Sequence, residues 1–174
     1  MNILAISGSG RDASTNTALL NAVSKIAYPS HKVTVFSGIA ELPVFSPDAE
    51  NDRLPQQVQT FADMIGRSDG VIFSSPEYVR AIPGGLKNAI DWLVSRDEII
   101  AKPIALMHAS HRGDDMLAQL RLVLSTVSDR FMLDPFIAFD LIKLSPNEIT
   151  QKIMTPENRI KVDDFLRDFA VHCA

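Results

Sequence analysis

Ile3-Leu4-Ala5-Ile6-Ser7-Gly8-Ser9-Gly10-Arg11-Asp12-Ala13-Ser14-Thr15-Asn16 is the stretch whose reading decides the fold. Four apolar residues in a row read as a short strand buried on both faces. The run stops at glycines and hydroxyls, and from Ser14 the residues Leu19, Leu20, Val23 and Ile26 recur at helical spacing. A buried strand, a tight polar loop and a helix follow one another within 26 residues.

The same alternation continues outward. Lys32 to Phe36 reads as a second strand, followed by an irregular stretch holding Pro43, Pro47 and Pro55. Val58, Phe61, Ala62 and Ile65 mark a second helix, and Val71-Ile72-Phe73 a third strand stopped by Ser74-Ser75-Pro76. Pro83 is placed to begin a third helix carrying Leu86, Ala89, Ile90 and Leu93 on one face. Ile104 to Met107 is a fourth strand, Met116 to Val127 a fourth helix, and Phe136 to Phe139 a short fifth strand. Thr155-Pro156-Glu157 opens a last helix with a capping hydroxyl, a proline at the first position and an early acid. Five buried strands with intervening helices predict an α/β domain: a doubly wound, five-stranded parallel sheet covered on both faces. Residues 1–174 read as one such domain, with no repeat or linker.

Composition narrows the function classes. Seventeen basic and twenty-one acidic residues give a net charge of −4, which argues against a nucleic-acid partner. The one cysteine, Cys173, excludes an internal disulfide and fits a reducing compartment. The apolar run at the start is too short for a leader or a membrane span, so a cytoplasmic protein with no membrane partner is expected.

In a doubly wound sheet, ligands bind outside the carboxyl ends of the strands. The loop after the first strand offers glycines, small donors and a helix start, which is the chemistry of an anion site, and Arg11 adds a guanidinium fork. It lacks the Gly-Lys-Ser/Thr ending of a Walker loop, and Ala13 stands where a dinucleotide loop has its third glycine. A polar turn with Ser14 as a simple helix cap is the plainer reading of the same residues. The loop after the third strand holds Tyr78, a flat surface for a ring, between Pro76 and Pro83. No metal site is expected, because His108 and His111 have no third ligand at a telling spacing. Asp91 reads as structural rather than as an acid–base partner of Glu77, and no nucleophile elbow is present.

Together, Gly-Ser-x-Arg-x-x-Ser-x-Asn after the first strand and Pro-Glu-Tyr with Ile-Pro-Gly-x-Leu-Lys-Asn-Ala-x-Asp-Trp after the third resemble the NADPH-dependent FMN reductase family. Lys102-Pro103-Ile104-Ala105-Leu106 is similar to the family's lead into the fourth strand, and the resemblance fades after Gln119. It implies a flavodoxin-like fold and an FMN-dependent oxidoreductase that takes hydride from NADPH or NADH. The acceptor would be a small molecule such as a flavin, quinone, azo compound or metal oxyanion. By the same resemblance Ser9, Arg11, Ser14, Thr15 and Asn16 hold the FMN phosphate. Pro76, Glu77, Tyr78 and Val79 line the flavin and its ribityl chain, and Ser110 and Gly113 close over the ring. Arg80 is a candidate substrate contact. No side chain is expected to be catalytic, because the flavin carries the chemistry. A homodimer or homotetramer is implied, with the helix from Gly84 to Trp92 as a candidate interface.

The sequence departs from the family at Val79, where asparagine is usual, and at Asp114-Asp115 in a loop that is normally glycine-rich. The mundane role for those acids is to cap the following helix. Two alternatives share the fold: a flavodoxin-type FMN electron carrier without NAD(P)H turnover, and a flavin-free binding or regulatory relative.

Overall fold

The computed structural model describes residues 1–50 and 54–173. Five parallel strands run β1 (Asn2–Ser7), β2 (Lys32–Phe36), β3 (Gly70–Ser74), β4 (Ile104–His108) and β5 (Phe131–Ala138), in the spatial order β2-β1-β3-β4-β5. The helices are α1 (Thr15–Ala27), α2 (Gln56–Gly66), α3 (Gly84–Asp91), α4 (Asp97–Ile100), α5 (Asp114–Val127), α6 (Pro146–Ile153) and α7 (Pro156–Cys173). This is the doubly wound, flavodoxin-like order.

Side-chain alternation explains why the strands read as continuous apolar runs. Ile3, Ala5, Ile72, Ala105 and Met107 face one core with α1, α6 and α7. Leu4, Ile6, Val71, Phe73, Ile104 and Leu106 face the other, with α2, α3 and α5. Both faces of the sheet are therefore buried, and either parity of residue is apolar.

Several boundaries follow from local chemistry. Ser14 caps α1 by accepting from the Thr17 N–H at 3.2 Å. Pro83 stands just before α3 as its cap, one residue earlier than a first helical position. The fifth strand begins at Phe131, earlier than Phe136. Asp134-Pro135 interrupts the apolar pattern, and the pairing steps from Ile104↔Phe131 to Leu106↔Phe136 across an irregularity that an edge strand tolerates. Two helices escape the sequence reading: α4, a single turn, and α6. The second carries a clear start signal, since Ser145 and Glu148 form a reciprocal capping box with Pro146 at the first position.

No helix among the described residues is long and apolar enough to cross a membrane. Cys173 is half-buried against Gly70 and Phe169, and burial pushes its thiol up to about 11, well above the range of a reactive thiolate.

Candidate functional site

The sheet order changes direction between β1 and β3, and four segments meet at the carboxyl ends of the strands beside that point. They enclose a cavity of about 340 Å³. From α1 come Thr15 and Asn16; from the segment after β3, Ser75, Pro76 and Glu77; from β4 and beyond, His108, Ala109, Ser110, Arg112 and Gly113; and after β5, Ile142 and Lys143.

The first loop is held by its own hydroxyls. Thr17 Oγ1 donates to Ser7 Oγ at 2.8 Å, and Ser74 Oγ donates to Asn16 Oδ1 at 2.8 Å, which ties α1 to the ends of β1 and β3. Ser9, Ser14 and Asn16 are all buried. Thr15 and Asn16 border the cavity and lie in the first turn of α1, where backbone N–H groups have no intrahelical acceptor. Arg11 does not line this cavity. Its Nη2 donates to Ala13 O at 2.7 Å, and it lines a neighbouring recess with Asp12 and Glu41.

The second loop turns sharply. Tyr78 and Ala81 exchange backbone hydrogen bonds at 3.1 and 3.0 Å, with Val79 (φ 52°) and Arg80 (φ 59°) between them. Two successive positive φ values make a type I′ turn, the setting of Asn-Gly, not of a β-branched side chain. Val79 is 99% exposed, so no packing compensates the strain. Val79→Asn is therefore expected to raise stability by about 1 kcal/mol, or roughly 2–4 °C in Tm for a chain of this size. Thermal unfolding of the two proteins checks it.

The loop is clamped to α5. Glu77 Oε2 accepts from the Met116 N–H at 3.1 Å and so caps that helix. Arg80 Nε donates to Asp115 Oδ2 at 2.5 Å, and Gln119 Nε2 donates to Arg80 O at 2.9 Å. The Arg80 guanidinium is thus paired with an acid, outside the cavity lining. Tyr78 and Val79 also stay off that lining. Asp114 and Asp115 occupy the first turn of α5, where the dipole favours acids, but neither caps the helix as expected: Gly113 stands at the cap position without a side-chain bond, and Glu77 supplies the capping carboxylate. Asp91 pairs with Lys87 along α3 at 2.5 Å.

The third loop is stapled by His108. This residue is 4% exposed, and its Nε2 lies 2.5 Å from Arg112 O. A carbonyl only accepts, so Nε2 carries the proton and Nδ1 is a bare lone pair in the neutral ring. Nδ1 is buried without a partner. Ser110 Oγ accepts from the Arg112 N–H at 2.8 Å, and Gly113 turns with φ 109° into α5. His111 Nδ1 reaches Asp140 Oδ1 at 2.9 Å, and that hydrogen bond holds the Asp140 carboxyl below its usual range.

The fourth segment, with Ile142 and Lys143, is absent from the sequence reading. Its signal was the Ser145-Pro146-Asn147-Glu148 helix start, which places Ile142 and Lys143 at the ligand edge immediately before a helix, like the other three loops. Chemically the cavity combines free helix N–H donors, two cations, and one carboxylate already engaged in capping. It has room and donors for an anionic, partly apolar ligand; a flavin with its phosphate fits that donor set. Among the described residues no group of three metal-ligating acids, histidines or cysteines is assembled.

The family model described as NADPH-dependent FMN reductase matches residues 1–142. Across nearly its whole length, 98% of this chain and 86% of the other, the protein is 31% identical to the NADH:(hydroxy)cinnamate reductase subunit CrdA of Vibrio ruber. A quinone reductase of Escherichia coli is 34% identical over 63% of this chain and 60% of its own. Among solved structures, the flavoenzyme NAD(P)H:(acceptor) oxidoreductase FerB of Paracoccus denitrificans superposes over 98% of both chains with a TM-score of 0.75 at 26% identity.

Proposed function

We propose, from the premise that this chain belongs to the NADPH-dependent FMN reductase family, that the cavity at the strand ends is its flavin site. The protein is an FMN-dependent oxidoreductase drawing on NADH or NADPH. The observation that supports the placement is the meeting of orphan α1 N–H groups, cations and a spent carboxylate in one cavity at the switch point.

Bound FMN supplies the relay of hydride from NAD(P)H to a small acceptor. The chain's own task is to hold ligands and exclude water. In this reading Ser9, Arg11, Ser14, Thr15 and Asn16 serve the phosphate, Ser14 by fixing the start of α1 and Thr15 and Asn16 by their N–H groups. Pro76 and Glu77 form the wall on one side, with Tyr78 and Val79 in the turn that continues it beyond the lining, and Ser110 and Gly113 form the wall on the other. Glu77 acts through its bond to α5, which locks the two walls together. Arg80, bound to Asp115, reinforces that lock, so its link to substrate is indirect. A small acceptor, a homo-oligomeric state and a cytoplasmic location complete the proposal.

The experiment is an anaerobic titration of FMN-loaded protein with NADH and with NADPH, followed by visible absorbance, then turnover with a quinone. Bleaching of the flavin and reoxidation by the quinone are expected. Flavin uptake without reduction by either coenzyme would favour the electron-carrier reading.

Arg11 tests the phosphate loop. To serve the phosphate its guanidinium must exchange a single backbone carbonyl, Ala13 O, for phosphate oxygens. Arg11→Ala is expected to weaken FMN binding by about 1.5 kcal/mol, roughly tenfold, with riboflavin unaffected. Fluorescence titration with both flavins measures it, and equal Kd values for wild type and variant would remove Arg11 from the site.

A further inference from the structure

Two cations that the sequence does not single out line the cavity. Arg112 and Lys143 come from different loops, and among the described residues neither forms an ion pair. Lys143 holds φ 66°, a left-handed conformation that lysine adopts only at a cost. A third, independent sign of a ligand lies beside them: the buried His108 ring borders the same cavity with one nitrogen unpartnered.

Charge decides which ligand group belongs here. The α1 N-terminus contributes about half a positive charge, and the two cations outweigh Glu77 by one. The lining is thus about one and a half charges positive, close to the roughly 1.5–2 negative charges of a phosphate monoester near neutral pH. With Arg11 held on Ala13 O, the lining without Lys143 would keep only about half a charge, too little to offset removing such an anion from water. Arg11 meanwhile faces the neighbouring recess beside Asp12 and Glu41.

Resting on the flavin reading above, we infer that Lys143, with Arg112, supplies the countercharge for the FMN phosphate. The segment after β5 then completes the phosphate site that the first loop begins. The Ser145 capping box and the bond from Lys152 Nζ to Asp140 O fix that segment, so Lys143 is presented by a supported turn and not a loose one.

The test is equilibrium binding to apo-protein. Lys143→Asn removes the charge while keeping a residue that tolerates positive φ. FMN is expected to bind about tenfold more weakly, with riboflavin changed by less than about twofold. Lys143→Arg restores FMN binding, Arg112→Gln shifts it in the same direction as Lys143→Asn, and the gap narrows as salt rises. Equal losses for FMN and riboflavin would overturn the inference, since they would mean the turn only shapes the site. Unchanged FMN binding with a raised KM for NADPH would overturn it too, by assigning the cation to the coenzyme. Wild-type protein that takes up neither flavin would remove the flavin reading itself, which is a different failure from wild-type binding that Lys143→Asn leaves intact.

Discussion

Gly8→Ala is expected to lower stability by about 2 kcal/mol and to weaken flavin binding at the same time. Gly8 follows β1 directly and its N–H donates to Ser74 O at 2.8 Å, so the backbone cannot drift without losing that bond. A Cβ added there would lie 2.6 Å from Ser75 Oγ, 2.7 Å from Leu86 Cδ2 and 2.8 Å from Ser75 Cβ. The hydroxyl and the leucine methyl can turn aside, but Ser75 Cβ is anchored to the backbone that leads into Pro76. Relief must come from separating the first and second loops, which both border the cavity. Urea unfolding and FMN titration of the same variant check both effects. Because the obstacle is steric, Ser75→Gly in the Gly8→Ala background should recover part of the loss; no recovery would mean that the backbone at Gly8, not its neighbour, sets the requirement.

That close approach bears on what the sequence can disclose. Strands β1, β3 and β4 were legible because burial on both faces makes them unbroken apolar runs, a signal that survives without knowledge of their neighbours. The first loop was legible as an anion site because its composition is local. The paired role of Glu77 was not, because it depends on Met116 lying 39 residues away. Arg80 is similar: whether it meets substrate or an acid turns on where α5 begins, and the structure puts Asp115 beside it. Lys143 was hidden for another reason. The expected fifth strand ended at Phe139, next to the observed end at Ala138, but the residues after it carry no glycine or hydroxyl cluster like that of the first loop, so nothing in their composition marked a ligand loop. Reading Ser145 and Glu148 as a capping box would have revealed it.

Positive φ separates the two loops that face each other across the site. At Val79 the left-handed turn is occupied by a residue ill suited to it, and replacement should stabilise. At Gly113 the reverse holds, and Gly113→Ala is expected to cost about 2–3 kcal/mol and to weaken FMN binding about tenfold or more. Its φ of 109° lies beyond the well that even asparagine occupies, so Gly113→Asn should fare no better. Contact adds less to this cost. A Cβ at Gly113 would stand 3.2 Å from the His108 ring and 3.6 Å from Glu77 Cβ, distances that a shift of a few tenths of an ångström would relieve. The two contributions can be told apart by pairing Gly113→Ala with His108→Ala. If φ dominates, opening the ring's space does not rescue the variant, and the stability losses add to within about 0.5 kcal/mol. If the ring contact dominates, the double variant is more stable than the sum of the single losses allows. Additivity is the expected result, since the bond from His108 Nε2 to Arg112 O places the ring beneath a turn that only glycine can complete.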